Sequence, residues 1–128
     1  MQNRVVVQTI NGEIIKGVTN DFSAGKEFFH LKTNDSEEIL EIDILDLKAV
    51  YFVKSYEGNP DYDDKAESER AGFGKKIRVM FKDGEEFFGY TQGFSPNRPG
   101  FFVFPVDADS NNDRIFIVSS ATDEIDFV

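Results

Sequence analysis

Apolar and polar positions alternate along most of this chain, and the alternation is interrupted at short, regular intervals. A period of two turns one face of a strand inward and the other outward. It predicts strands over residues 3–10, 13–21, 27–33, 38–43 and 47–53, and again over 75–82, 85–93, 100–105, 113–118 and 122–128. Asn11-Gly12 and Asp83-Gly84 separate the first two strands of each set. They predict type I′ hairpin turns, which need positive φ at both central residues. Asp43-Ile44-Leu45-Asp46-Leu47 and Ser119-Ser120-Ala121-Thr122 join the last two strands of each set and predict a single helical turn.

The two sets are copies. Gly12 matches Gly84, Gly17 matches Gly89, Thr19 matches Thr91, and Phe22-Ser23 matches Phe94-Ser95. After a one-residue insertion, Phe28-Phe29 matches Phe101-Phe102. Gly17 and Gly89 interrupt a strand, as a bend or bulge at the corner of a small barrel requires. The expected fold class is all-β: two tandem small five-stranded SH3-like or Sm-like barrels packed together. The first module spans residues 1–54 and the second 75–128, with 55–74 as an acidic linker or loop. Modules of this size are marginal alone, so they are expected to pack on each other or on a second chain.

Composition narrows the chemistry. Phe is abundant at 14, with 4 Tyr and no Trp, a bias that suits pleated surfaces. There is no cysteine, which excludes disulfides, thiolate metal sites and cysteine nucleophiles. No apolar run approaches a membrane span, and Met1-Gln2-Asn3-Arg4 leads into Val5-Val6-Val7 without a signal-peptide core, so a cytoplasmic protein is expected. The net charge is −10, from 24 acidic and 14 basic residues. An acidic chain repels phosphate backbones, and Lys75-Lys76 with Arg78 is its densest basic stretch, so nucleic acid is an unfavoured partner.

Three segments are candidates for a site. In Ser95-Pro96-Asn97-Arg98-Pro99-Gly100 two prolines stiffen a loop that holds Arg98 beside Phe101 and Phe102. A pre-ordered guanidinium with aromatic neighbours can clamp a carboxylate, a phosphate or a base; the plainer reading is a surface turn whose arginine pairs with a local acid. The matching first-half loop, Ala24-Gly25-Lys26-Glu27, lacks both the prolines and the arginine. Second, Asp107, Asp109, Asn111 and Asp113 alternate as at the start of a calcium loop. Asn112 and Val118 stand where such a loop needs Gly and Glu, so a hairpin loop is expected and no metal. Third, Asp21-Phe22-Ser23-Ala24-Gly25 partly follows the DxSxxG pattern of PilZ domains, which bind cyclic di-GMP. Lys26 replaces its final glycine and the paired arginines are absent.

No motif for catalysis appears. The single histidine, His30, lies in Phe28-Phe29-His30-Leu31 with no acid partner evident nearby. No enzyme and no cofactor are expected.

At the level of the module, both halves resemble the first Sm motif: a strand, a turn glycine, a second glycine about five residues on, a polar turn and an apolar strand. Sm-like proteins form rings that bind RNA. The motif's Asp-x-x-x-Asn ligands are not in place here, with Phe22 and Phe94 standing where the loop should turn polar. Over nearly the whole chain, the sequence resembles an uncharacterised bacterial domain family. Gly89-Tyr90-Thr91-Gln92-Gly93-Phe94-Ser95-Pro96-Asn97-Arg98-Pro99-Gly100-Phe101-Phe102-Val103-Phe104-Pro105 carries that resemblance, supported by Ser110-Asn111-Asn112-Asp113-Arg114-Ile115-Phe116 and Asp46-Leu47-Lys48-Ala49-Val50-Tyr51-Phe52-Val53. It implies the fold and a bacterial origin, and no activity.

The expected function is a non-catalytic binding or adaptor module working through protein–protein contacts, self-association included. The alternatives are a small-ligand or nucleotide sensor using the Ser95–Gly100 loop, and Sm-like nucleic-acid binding. The candidate ligand or partner residues are Ser95, Asn97, Arg98, Phe101, Asn111, Asn112 and Arg114.

Overall fold

The computed structural model describes residues 3–57, 72–94, 97–107 and 109–128. Ten strands follow one another: β1 (Asn3–Thr9), β2 (Ile14–Thr19), β3 (Phe28–Thr33), β4 (Ile39–Asp43), β5 (Leu47–Val53), β6 (Lys75–Phe81), β7 (Glu86–Thr91), β8 (Gly100–Pro105), β9 (Asn112–Val118) and β10 (Thr122–Phe127). Single 3₁₀ turns, Ile44–Asp46 and Ser119–Ala121, precede β5 and β10. Each lies where the sequence predicts a helical turn.

All pairings are antiparallel and the halves repeat the same ladder. Val5 opposes Gly17 as Ile77 opposes Gly89, and Val5 opposes Phe52 as Ile77 opposes Phe127. The register corrects one detail of the repeat. Phe29 opposes Ile42 as Phe101 opposes Ile117, so Phe29 matches Phe101 and Phe28 matches Gly100. Phe29 and Phe101 are the buried pair. The extra length of the second half therefore falls in the β8–β9 connection.

The hairpin turns also differ from expectation. Gly12 N donates to Thr9 O (3.0 Å) and Thr9 N to Glu13 O (2.9 Å), with Gly84, Phe81 and Glu85 repeating the pattern at 3.0 and 2.8 Å. Only the glycines, at φ +89° and +95°, enter the left-handed region, while Asn11 and Asp83 do not. A three-residue loop ending in a left-handed glycine needs positive φ once, where type I′ needs it twice.

The larger difference is closure. Two separate barrels are expected from the repeat, yet the strands form one open sheet in the order β10-β6-β7-β8-β9-β5-β1-β2-β3-β4. Rather than closing with β4, β5 pairs with β9 of the other half, placing Val50 opposite Phe116 and Tyr51 opposite Ile115. The reason lies in the two faces of these central strands. Val50 and Phe52 of β5, with Phe116 and Val118 of β9, enter a core with Val5, Val7, Phe29 and Leu31. Their other faces, Ala49 with Ile115 and Ile117, enter a second core with Ile77, Val79, Phe101 and Val103. The β5–β9 ribbon is thus a wall between two cores, and each half completes the other's interior. At about 1.5–3 kcal/mol for each fully buried aliphatic side chain, that exchange is a large share of the stability.

The glycines inside β2 and β7 permit close strand approach. A Cβ on Gly17 would collide with the carbonyl oxygen of Lys32, and one on Gly89 would meet Val103 and lie 2.6 Å from Phe104 O.

Most of the expected linker lies outside the described residues, but its two ends are tied down. Ser55 is bonded to Asn111, and Tyr56 Oη donates to Gly17 O (2.8 Å). Gln92 donates to Gly72 O (2.8 Å), and Phe73 packs edge-on against Phe104 at 5.1 Å.

Candidate functional site

Each half carries a cleft at the same position in its ladder. In the second half Gln92, Phe102, Phe104 and Arg114 line it; in the first, Asn20, His30, Lys32 and Ile39 occupy the corresponding positions. The second cleft is the larger, about 270 Å³ against 140 Å³, and Arg98 also borders it. Ala24 of the first half closes one side, so the first-half loop contributes to the second-half cleft.

Arg114 projects from β9. Its guanidinium lies 4.5 Å from the ring centroid of Phe52 and 4.7 Å from that of Phe102, two cation–π contacts with adjacent rings tilted 59° to each other. Phe52 and Phe102 belong to an aromatic cluster with Phe22 and Phe116, whose ring centroids are 5.0–5.9 Å apart. Arg98, exposed in the loop before β8, faces the same cleft. Among the described residues neither arginine forms an ion pair, and no carboxylate lines the cleft. The local acid that a plain surface turn would give Arg98 is not among its described neighbours.

The other candidate residues take different places. Ser95 lies outside the described residues. Asn97 is exposed in the turn beside Arg98. Phe101 is buried in the second core, edge-on to Phe94 at 5.0 Å, and it is Phe102 that turns toward the cleft. Asn111 is taken up by Ser55: its Oδ1 accepts from Ser55 N (3.1 Å) and its Nδ2 donates to Ser55 O (2.9 Å). Asn112 donates its backbone N–H to Ser110 Oγ (3.2 Å) and pairs with Val53. The structure therefore brings Arg98 and Arg114 to one cleft, which Phe101 borders with its ring turned into the core, and leaves Asn111 and Asn112 at the β5–β9 junction.

In the Asp107–Asp113 loop, Asp107 Oδ1 accepts from Asp109 N (2.9 Å), a local turn bond. Among the described residues no three His, Asp or Glu side chains come together to hold a metal ion. No helix among them is long and apolar enough to cross a membrane.

Two polar pairs were not legible in the sequence. His30, with no acid partner evident nearby, has one in space: its Nδ1 lies 2.7 Å from Asp21 Oδ2, and its backbone N donates to Asp21 Oδ1 (2.9 Å). Burial raises the Asp21 pKa, but the His30 bonds and that of Thr19 outweigh it and hold the carboxyl below its usual value. Lys48 joins the halves. Its Nζ donates to Asp83 (2.6 Å) and Glu85 (2.5 Å) and lies over the Phe81 ring at 4.5 Å. Burial lowers the Lys48 pKa, but its two carboxylate partners reverse that and leave it raised. A third cleft beside it, about 360 Å³ and bordered by exposed Ile10 and Leu45, has Lys48 and Asp83 committed to this ion pair, with Lys82 also in its lining.

A family model described as a family of unknown function, DUF6982, matches residues 1–128. No curated protein and no solved structure matches the chain.

Proposed function

The chain belongs to DUF6982, a family of unknown function, along its whole length, and from that premise we propose a non-catalytic binding module that takes a carboxylate-bearing segment of a partner protein. One observation carries this reading: Arg98 and Arg114 face a single cleft with Phe102 and Phe104 and no acid in its lining, in a chain of net charge −10. Arginine binds carboxylates through two parallel hydrogen bonds, and arginine with aromatic rings is the usual centre of a protein interface. The guanidinium of Arg114, held against two rings, loses little freedom on binding, which favours affinity. Overall negative charge disfavours nucleic acid at the same place. The absence of catalysis is part of the proposal. In this reading each half is an SH3-like or Sm-like unit opened to share strands with the other, working in a bacterial cytoplasm.

The test is a fluorescence-anisotropy titration with peptides carrying Glu or Asp beside Phe, against the wild type and the Arg98→Ala/Arg114→Lys variant. Saturable binding that weakens at least tenfold in the variant is expected, about 1.4 kcal/mol or more. Equal binding by the variant overturns the reading. So does saturation by nucleotides with no response to any acidic peptide, which would move the ligand to the small-molecule class.

A further inference from the structure

The β5–β9 junction has an unused duplicate at the ends of the sheet. Because the halves share one ladder, β4 is the counterpart of β9 and β10 the counterpart of β5. Among the described residues both β4 and β10 are edges with a single neighbour. Joining β10 of one chain to β4 of a second copy would repeat the register of the internal junction, with Ile125 opposite Glu41 where Val50 opposes Phe116. Phe127 would then face Ile39, as Phe52 faces Arg114 inside the chain. Phe127 is 53% and Ile39 68% exposed, so each edge offers an apolar residue at the matching register. An open edge of this kind is a template for strand pairing, and a head-to-tail contact can repeat from copy to copy.

Charge opposes the repetition. Inside the chain, Lys48 stands at the bulge of β5 and reaches Asp83 and Glu85 on the hairpin of the other half. The counterpart of Lys48, at the bulge of β10, is Asp123. The counterparts of Asp83 and Glu85 are Asn11 and Glu13. A cation between two anions thus becomes an anion facing an amide and an anion. Arg78 offsets the other acids of β10, lying 3.7 Å from Glu124 and 3.1 Å from Asp126. Among the described residues Asp123 and Glu13 have no such partner.

We propose that the β10 and β4 edges are the two sides of one head-to-tail interface with a second copy of this chain, kept open by Asp123 against Glu13. The mismatch stops the sheet at two repeats.

Sedimentation velocity of the full chain at neutral pH and low salt, over a range of concentrations, tests this. The wild type stays a single chain. D123K associates, its weight-average mass at least doubling at the highest concentration. E13K, which sets opposite charges from the other side, does the same, so a folding failure in one variant leaves the other informative. In D123K/E13K two cations meet, and the single chain returns. A wild type that already associates, a folded D123K or E13K that does not, or a double variant that associates as strongly as the single ones overturns the proposal.

Discussion

Asp21 grips His30 from two directions, one carboxylate oxygen 2.7 Å from the ring nitrogen and the other accepting the backbone N–H at 2.9 Å. Together they tie the β2–β3 loop to the start of β3, at a place where the second half has Gly93 and Phe102 and no such pair.

That pairing predicts an acid-dependent stability term. Since the folded pKa of Asp21 lies below 3.8, its contribution is complete above about pH 4 and is lost as pH falls through the lowered value. The pair is partly exposed, so about 0.5–1 kcal/mol is expected. Urea denaturation of Asp21→Asn should show that deficit at pH 7, shrinking as pH falls through the lowered value. A deficit independent of pH would contradict it.

Lys48 carries the opposite dependence at its own end of the scale. Its pKa is raised, so its contribution is whole below about 10.5 and fades only above that, while that of Asp83, whose pKa is lowered, fades below about 4. Lys48→Ala should cost about 1–3 kcal/mol throughout pH 5–10, because it strips a buried cation from two acids and from the Phe81 ring. Lys48→Met keeps the packing and should cost less than half of that. Equal losses in chemical denaturation would show that packing on Phe81 contributes nothing.

Gly17→Ala and Gly89→Ala should each destabilise by about 3 kcal/mol or more, since the new methyl meets a neighbouring strand. Gly25→Ala and Gly93→Ala open onto free space and should change stability by less than about 0.5 kcal/mol. Thermal melts of the four variants separate these expectations, and similar losses in all of them would deny the close approach.

Phe22 belongs to the first half and Phe116 to the second, with ring centroids 5.0 Å apart and an edge-to-face geometry. Phe22→Ala should cost about 3 kcal/mol. A double-mutant cycle with Phe116→Leu should give a coupling of about 0.5–1.5 kcal/mol. A coupling near zero would mean that the rings touch without mutual stabilisation.

Strand positions were legible almost throughout, because alternation and turn glycines are local signals. Observed ends depart from the expected ones by a residue or two, as in β2, which ends at Thr19 rather than residue 21. The partner of β5 was not read, although its trace is present. Ala49-Val50-Tyr51-Phe52-Val53 and Ile115-Phe116-Ile117-Val118 are apolar on consecutive positions, the mark of strands covered on both faces. Ile39-Leu40-Glu41-Ile42-Asp43 and Thr122-Asp123-Glu124-Ile125-Asp126 alternate with acids, as edge strands do. Treating the halves as closed units hid that contrast. At the cleft, Arg98 was legible as a cation on a stiffened loop, and Arg114 was among the candidate residues. Phe102 was legible as a neighbour of Arg98 but not as the ring that faces the cleft in place of Phe101, and Phe104 and Gln92 were not legible, because only the ladder shows which way each side chain turns. The His30–Asp21 and Lys48–Asp83 pairs depend on strand pairing that spacing along the chain does not reveal.

The shared wall has a consequence for synthesis. Strand β5 is complete at Val53, but its partner β9 runs to Val118. At ~5–20 residues per second, a ribosome leaves the nascent first half with a bare apolar border for on the order of several seconds. Two nascent chains that meet along this border can each capture the other's β9 as it emerges and end as an entangled pair. Slow translation of the second half should therefore raise the yield of swapped dimers, and co-translational chaperones would find their target in β5.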